Sequence, residues 1–139
     1  MRYWLFKSEP DVWSWDDQAA KGAAGEEWHG IRNYQARNNM RAMQIGDQGF
    51  YYHSNIGKEI VGVVEVCALS HPDSTTDDPR WDCVDIRALR PFKRPVTLEE
   101  AKTDPRLSGM VLVNNSRLSV HPVSPGEWAV VCGLGGVNP

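Results

Sequence analysis

The chain has 139 residues, 41% of them hydrophobic and 24% charged, a globular composition long enough for one domain to bury a core. Its formal net charge of −3 argues against a protein that coats nucleic acid without selectivity, because such domains are usually basic. No apolar run approaches the ~20 residues that span a bilayer, and MRYWLFKSEP is too short in apolar residues for a signal peptide, so the expectation is a soluble, cytoplasmic chain without membrane contact.

RYWLFKS is aromatic and apolar and reads as a first strand, broken by Pro10. SWDDQAAKG predicts a short helix, with Ser14 as N-cap, acids in the first turn and Gly22 after its end. AAGEE reads as a loop. From about Ala36 a second helix is expected, since Ala36, Met40 and Met43 fall at i, i+4 and i+7 and form one core stripe. Tyr34, Arg37, Asn38 and Arg41 then project mostly to the other side, and IGD ends the helix. QGFYYHS and EIVGVVEVCALS are strands joined by NIGK, a hairpin signal with Gly57 in the turn. The second of these is almost continuously apolar and belongs at the centre of a sheet. WDCVDIRALRPF is a further strand and RLSVHPV a last one. Thr97 with Glu100, and Ser124 with Glu127, form capping boxes ahead of LEEAK and WAVVCGLGG, with Pro125 at the first helical position. Strands outweigh helices without alternating regularly with them, which disfavours a Rossmann arrangement. The expected class is α+β: a mixed or mostly antiparallel sheet curled into a small barrel, with helices outside, in a single domain over residues 1–139.

The bases cluster twice, as Arg32, Arg37 and Arg41 in WHGIRNYQARNNMR and as Arg87, Arg90, Lys93 and Arg94 in RALRPFKR. The first stretch contains no acid and is rich in amides, whereas a solvated helix face normally mixes both signs. Such a composition suits a planar, polar, anionic partner: Arg32 and Arg37 for phosphates, and Asn33, Gln35, Ser8 or His53 for a base edge. Of the six tryptophans, Trp4 and Trp128 read as core, while Trp13 and Trp15 flank Ser14, so at least one is partly exposed. Trp28 has two readings. It plugs one end of the barrel, or it is a wall on which a planar ring stacks, an interaction of roughly 1–3 kcal/mol per base. His53 is a structural strand-end histidine or, with Ser54, a ligand contact. A catalytic Ser-His pair is disfavoured there, because adjacent strand residues point to opposite faces.

Cys67, Cys83 and Cys132 sit in strand-like or apolar contexts and read as buried reduced thiols. No Cys-x-x-Cys or His-x-x-x-His pair occurs, so no metal site is expected. GLGG lacks the Lys and Ser/Thr of a phosphate loop and reads as a helix end. HPDSTTDDPRWD matches no calcium loop and reads as an exposed, turn-rich connection.

Taken in order, YWLFKSEP, GIRNYQARNNMR, GDQGFYYHS, IVGVVEV, PD followed by W-x-x-VDI, and RLSVHPVSPGEW resemble the EVE domain family from about residue 2 to residue 135. That resemblance implies a PUA-like fold, a curved barrel-like sheet with flanking helices, related to YTH and SRA domains. Those relatives take a modified base, extruded from its strand, into an aromatic-walled pocket. The resemblance implies a nucleic-acid-binding module that reads modified cytosine or a similar base in DNA or RNA, with no cofactor and no catalysis. By motif position, Trp28 takes the place of a cage tryptophan, and Lys7, Ser8, Asn33, His53 and Ser54 line the pocket, with Arg32, Arg37 and Arg41 on the nucleic-acid backbone. The family often has Gln at the position of His121 and usually an aliphatic residue at that of Trp15. Two other readings stay open. A base- or nucleoside-processing enzyme would use the same pocket but needs a general base, for which His53 and Lys7 are the candidates. A sensor of a free nucleobase-like metabolite would bind a nucleoside as well as an oligonucleotide.

Overall fold

In YWLFKS the apolar side chains alternate between two buried faces. Leu5 points one way, Trp4 and Phe6 the other, and all three are fully buried in a computed structural model that describes residues 1–139. A strand buried on both faces belongs inside a sheet. The strands are β1 (Tyr3–Ser8), β2 (Glu26–Glu27), β3 (Gln48–His53), β4 (Glu59–Pro72), β5 (Asp82–Thr97) and β6 (Val120–Val123), in the order β2-β5-β4-β3-β1-β6. β1 runs parallel to β3 and every other pairing is antiparallel. The helices are α1 (Trp15–Ala20), α2 (Tyr34–Ala42), α3 (Leu98–Thr103), α4 (Val111–Asn114) and α5 (Pro125–Gly135). The class is α+β and PUA-like, as expected. The sheet is curved but not closed, because β2 and β6 end it as separate edges rather than pairing with each other. Register shifts along β4 and β5 bend these long strands.

Two cores flank the sheet. Leu5, Phe50 and Tyr52 face α5, where the Trp128 ring stacks on Phe50 at 4.0 Å and on Tyr3 at 4.2 Å. Trp4, Phe6 and Tyr51 face Ala36 and Met40 of α2, with Met43 just beyond it. Trp4 Nε1 donates to the buried Asp47 carboxylate at 3.0 Å, which also accepts from the Gln44 N–H.

Capping chemistry sets the helix starts. Ser14, Thr97 and Ser124 each form a capping box, with Asp17, Glu100 and Glu127. α2 begins at Tyr34, two residues before the apolar stripe, because the Asn33 side chain accepts from the Ala36 N–H at 2.9 Å. AAGEE is not simply a loop: Glu26 and Glu27 pair with Ile86 and Asp85 as β2. Gly25, at φ +72°, permits the approach, since a Cβ there would stand 2.6 Å from the Ile86 carbonyl oxygen. RLSVHPV is strand only over Val120–Val123, and α4 follows no side-chain cap. GLGG ends α5, with Gly136 in the left-handed conformation. No helix is long and apolar enough to cross a membrane.

Candidate functional site

At the end of β1 the chain turns outward towards Trp13. It passes the same place again as it leaves β2, and between these passes lies a cleft of about 480 Å³. That size falls within the roughly 300–1,000 Å³ of small-ligand sites. Lys7, Ser8, Val12 and Trp13 line it from the first pass, and Trp28, Gly30 and Ile31 from the second.

α1 positions Trp13. The Trp13 indole donates to Gln18 Oε1 at 3.0 Å, and the buried Gln18 amide in turn donates to the Ile86 carbonyl at 3.0 Å. The Trp13 carbonyl accepts from the Ser8 hydroxyl at 2.7 Å and from the Tyr51 hydroxyl at 2.6 Å. Trp28 is fixed differently. Its N–H donates to the Val84 carbonyl at 2.8 Å, and its ring meets Phe6 and Tyr51 edge to face at 5.6 and 5.7 Å. The indole N–H is buried without an acceptor, so packing alone holds the ring. At 7% exposure Trp28 belongs to the core while one part of it borders the cleft.

Carboxylates dominate the polar lining. Glu9, Glu26 and Glu27 border the cleft. Partial burial pushes the Glu27 carboxyl up, but hydrogen bonds from the Ser74 hydroxyl and N–H, at 2.7 and 3.0 Å, outweigh it and hold the group below its usual range. The Lys7 ammonium is turned away to the Ser116 carbonyl at 2.9 Å and lies over the Tyr52 ring, where burial lowers its pKa. The lining is rich in hydrogen-bond acceptors and poorly suited to a phosphate.

HPDSTTDDPRWD is not merely an exposed connection, because Asp73 and Trp81 within it are buried. Asp73 accepts from Gly30 N at 2.8 Å, Arg32 Nη1 at 3.0 Å, Thr75 N at 2.8 Å and the Thr75 hydroxyl. Burial would raise its pKa, but these bonds together hold the carboxyl well below the usual range. Asp73 thus pins the segment after Trp28. The signal for it was an Asp with a Thr two residues on, the pattern of an Asx turn.

Of the residues expected to line a pocket, Lys7, Ser8 and Trp28 border the cleft, whereas Asn33, His53 and Ser54 do not. Those three support elements around it. Asn33 caps α2. His53 Nε2 accepts from the Trp15 N–H at 3.0 Å, and the Ser54 N–H donates to the Ser8 carbonyl at 2.9 Å. Burial lowers the pKa of His53, which favours the neutral ring that this acceptor role needs.

Two of the three arginines meet acids of the segment 73–82. Arg32 pairs with Asp73, and Arg41 with Asp82 at 2.6 Å. Arg37 has no carboxylate partner. It lies 4.8 Å over the Tyr34 ring and donates to Asn38 and to the Arg80 carbonyl. Tyr34 stacks on Trp81 at 5.0 Å, and Arg80 donates to the Tyr34 hydroxyl at 3.1 Å. The one-sided composition of α2 is therefore balanced in part within the molecule.

The description "EVE domain" attaches to the family that matches residues 2–134. Thymocyte nuclear protein 1 of Mus musculus is 35% identical over 169 aligned positions, covering 99% of this chain and 75% of that protein. A crystal structure of an Agrobacterium tumefaciens protein superposes at a TM-score of 0.98 with 61% identity, covering 100% of this chain and 97% of that one. Human THYN1 protein, solved in complex with 5-methylcytosine containing DNA, superposes at 0.91 with 33% identity and 100% coverage of both chains. The YTH domain of Zygosaccharomyces rouxii MRB1 protein, solved with N6-methyladenosine RNA, superposes at 0.57 with 16% identity, covering 96% of this chain and 85% of that one, a likeness of fold alone.

Proposed function

The chain belongs to the EVE domain family, and from that premise we propose that it is a nucleic-acid-binding module whose cleft takes up a modified base, with 5-methylcytosine as the first candidate. The human relative in complex with 5-methylcytosine DNA supports the choice of ligand class. The observation that carries it is the cleft itself, bordered by Trp13 and Trp28 and supplied with the carboxylates of Glu9, Glu26 and Glu27. Cytosine presents an exocyclic amino donor, and a carboxylate is its complementary acceptor. Val12 and Ile31 offer apolar surface to a ring methyl. Extrusion of the base is needed to reach such a cleft, at a cost of a few kcal/mol for a paired base.

Binding without turnover is the better reading. The one hydroxyl nucleophile that borders the cleft, Ser8, donates to the Trp13 carbonyl and has no base partner to activate it. Arg32, Arg37 and Arg41 are the candidate contacts to the nucleic-acid backbone, and Arg37, free of a carboxylate, gives the most to a phosphate. A net charge of −3 leaves little general attraction, so affinity depends on filling the cleft.

The test is a tryptophan-fluorescence titration with short oligonucleotides, single- and double-stranded, with and without 5-methylcytosine. The modified strand should bind more tightly. Trp28→Ala, or the better exposed Trp13→Ala as a check on folding, should weaken it roughly tenfold or more. Arg37→Gln should weaken all sequences alike and reduce the salt slope by about 1. Equal binding of free 5-methylcytidine and the oligonucleotide would establish a metabolite sensor instead, and no preference for the modified strand would remove the reader.

A further inference from the structure

Beside the cleft, on the β2–β5–β4 end of the sheet, strand geometry gathers four side chains with metal-binding chemistry. Cys83 and Asp85 are two apart on β5 and share a face. His71 of β4 lies directly opposite Cys83, and Glu27 of β2 directly opposite Asp85. We propose that Glu27, His71 and Cys83 bind a divalent transition-metal cation of the zinc class, with Asp85 orienting the histidine.

One ligand atom from each of the three residues lies within 4.8 Å of the others. Atoms around a tetrahedral zinc stand roughly 3.5 Å apart, so side-chain rotations of about 1 Å close the set. A thiolate, an imidazole and one carboxylate select zinc-like ions over magnesium or calcium, which prefer all-oxygen sites. Each residue has an atom to give. His71 Nε2 is held by Asp85 Oδ1 at 2.8 Å, which is the carboxylate–histidine arrangement that supports metal ligands. Its Nδ1 stands 3.9 Å from Cys83 Sγ and donates to the Pro72 carbonyl at 3.1 Å, a bond that coordination replaces. Glu27 uses Oε1 on Ser74, and Oε2 remains for the cation. Cys83 Sγ, buried against these groups, completes the three. On coordination the Sγ–H proton, and any proton on Nδ1, pass to solvent, and water takes the fourth position. Ligands drawn from positions 27, 71 and 83 leave no short motif in the sequence, which is why none was expected there.

The experiment uses the whole chain, reduced and freed of metal, titrated with Co(II). One equivalent should produce a thiolate-to-cobalt charge-transfer band with visible d–d bands of tetrahedral intensity, and Zn(II) should abolish them. Cys83→Ser should remove the charge-transfer band, while Cys67→Ser leaves it. Asp85→Asn should weaken binding roughly 10–100-fold. Serine at a buried site can destabilise the fold, so His71→Gln, at a half-exposed site, is the second variant. It should lose the tetrahedral bands with an unchanged circular-dichroism spectrum. Absence of the charge-transfer band in the unaltered protein, or its persistence in Cys83→Ser, overturns the site.

Discussion

Asp73 carries more of the candidate site than any residue that touches a ligand in the proposed reading. Its carboxylate gathers Gly30, Arg32 and Thr75 and so holds the wall that begins at Trp28. Asp73→Asn keeps the shape but removes the charge, leaving Arg32 without a carboxylate. The expected loss is about 1.5–3 kcal/mol of stability, measured by urea unfolding, with a larger fall in affinity for the modified strand than Arg32→Gln produces. The sign of its pH dependence follows from the depressed pKa. The contribution is complete above the unfolded value of about 4 and is lost as pH falls through the folded one. The Asn variant should lack that acid-range loss. Little of this role was legible beforehand. Trp28, Lys7 and Ser8 could be placed by motif, whereas the weight of Asp73 depends on a loop 43 residues away reaching back to Gly30.

At the level of elements, α1 matters as the support of Trp13, and two contacts from the sheet seat it. His53 accepts the Trp15 N–H, and the outer edge of the Trp15 ring packs against Gly62 of β4. A Cβ on Gly62 would stand 2.5 Å from that ring. Gly62→Ala should therefore lift Trp15 off the strand, at about 1–3 kcal/mol, with a red shift in tryptophan emission and a weakened cleft. An unshifted emission spectrum would show that β4 gives way instead. Strands and capped helices were readable, because alternation and cap residues are local signals: β3, β4, α1, α3 and α5 stand where those signals put them, and β5 does so but runs on past Phe92 to Thr97. β2 was not, since two glutamates become a strand only through Ile86 and Asp85. The start of α2 was missed for a related reason. The apolar stripe marks the buried face, but the Asn33 cap sets the first turn. Asn33 and His53 matched family positions, yet matching positions do not separate a residue that lines a cleft from one that holds its frame.

Over the whole molecule, acid should act through histidines that the fold keeps neutral. His121 is fully buried on β6, with Nδ1 2.9 Å from the Pro122 carbonyl and Nε2 without a partner. Burial, opposed by the Pro122 bond and aided by the nearby Lys7, lowers its pKa to about 4. The unfolded chain takes up this proton first as pH falls, so stability declines from about pH 6.5 towards the folded value. His53 acts in the same direction. His71, raised chiefly by its hydrogen bond to Asp85, acts in the other, stabilising below the unfolded pKa and losing that as pH rises through the folded one. The buried site dominates. Stability should fall by about 2 kcal/mol between pH 7 and pH 5, and His121→Gln should remove most of that difference in paired urea melts. Identical pH dependence in the variant would assign the loss elsewhere.

The placing of β1 has a further consequence, in time rather than in space. β1 pairs with β3 on one side and with β6, near the far end of the chain, on the other. During synthesis its Trp4, Leu5 and Phe6 emerge long before either neighbour, and both hydrogen-bonding edges stay open until those strands arrive. Contacts of such sequence separation slow folding and prolong the exposure of sticky intermediates. A nascent chain held short of β6 should recruit chaperones through Tyr3–Ser8, and release of β6 should end that dependence. Of the six strands, the earliest made is the last to be covered.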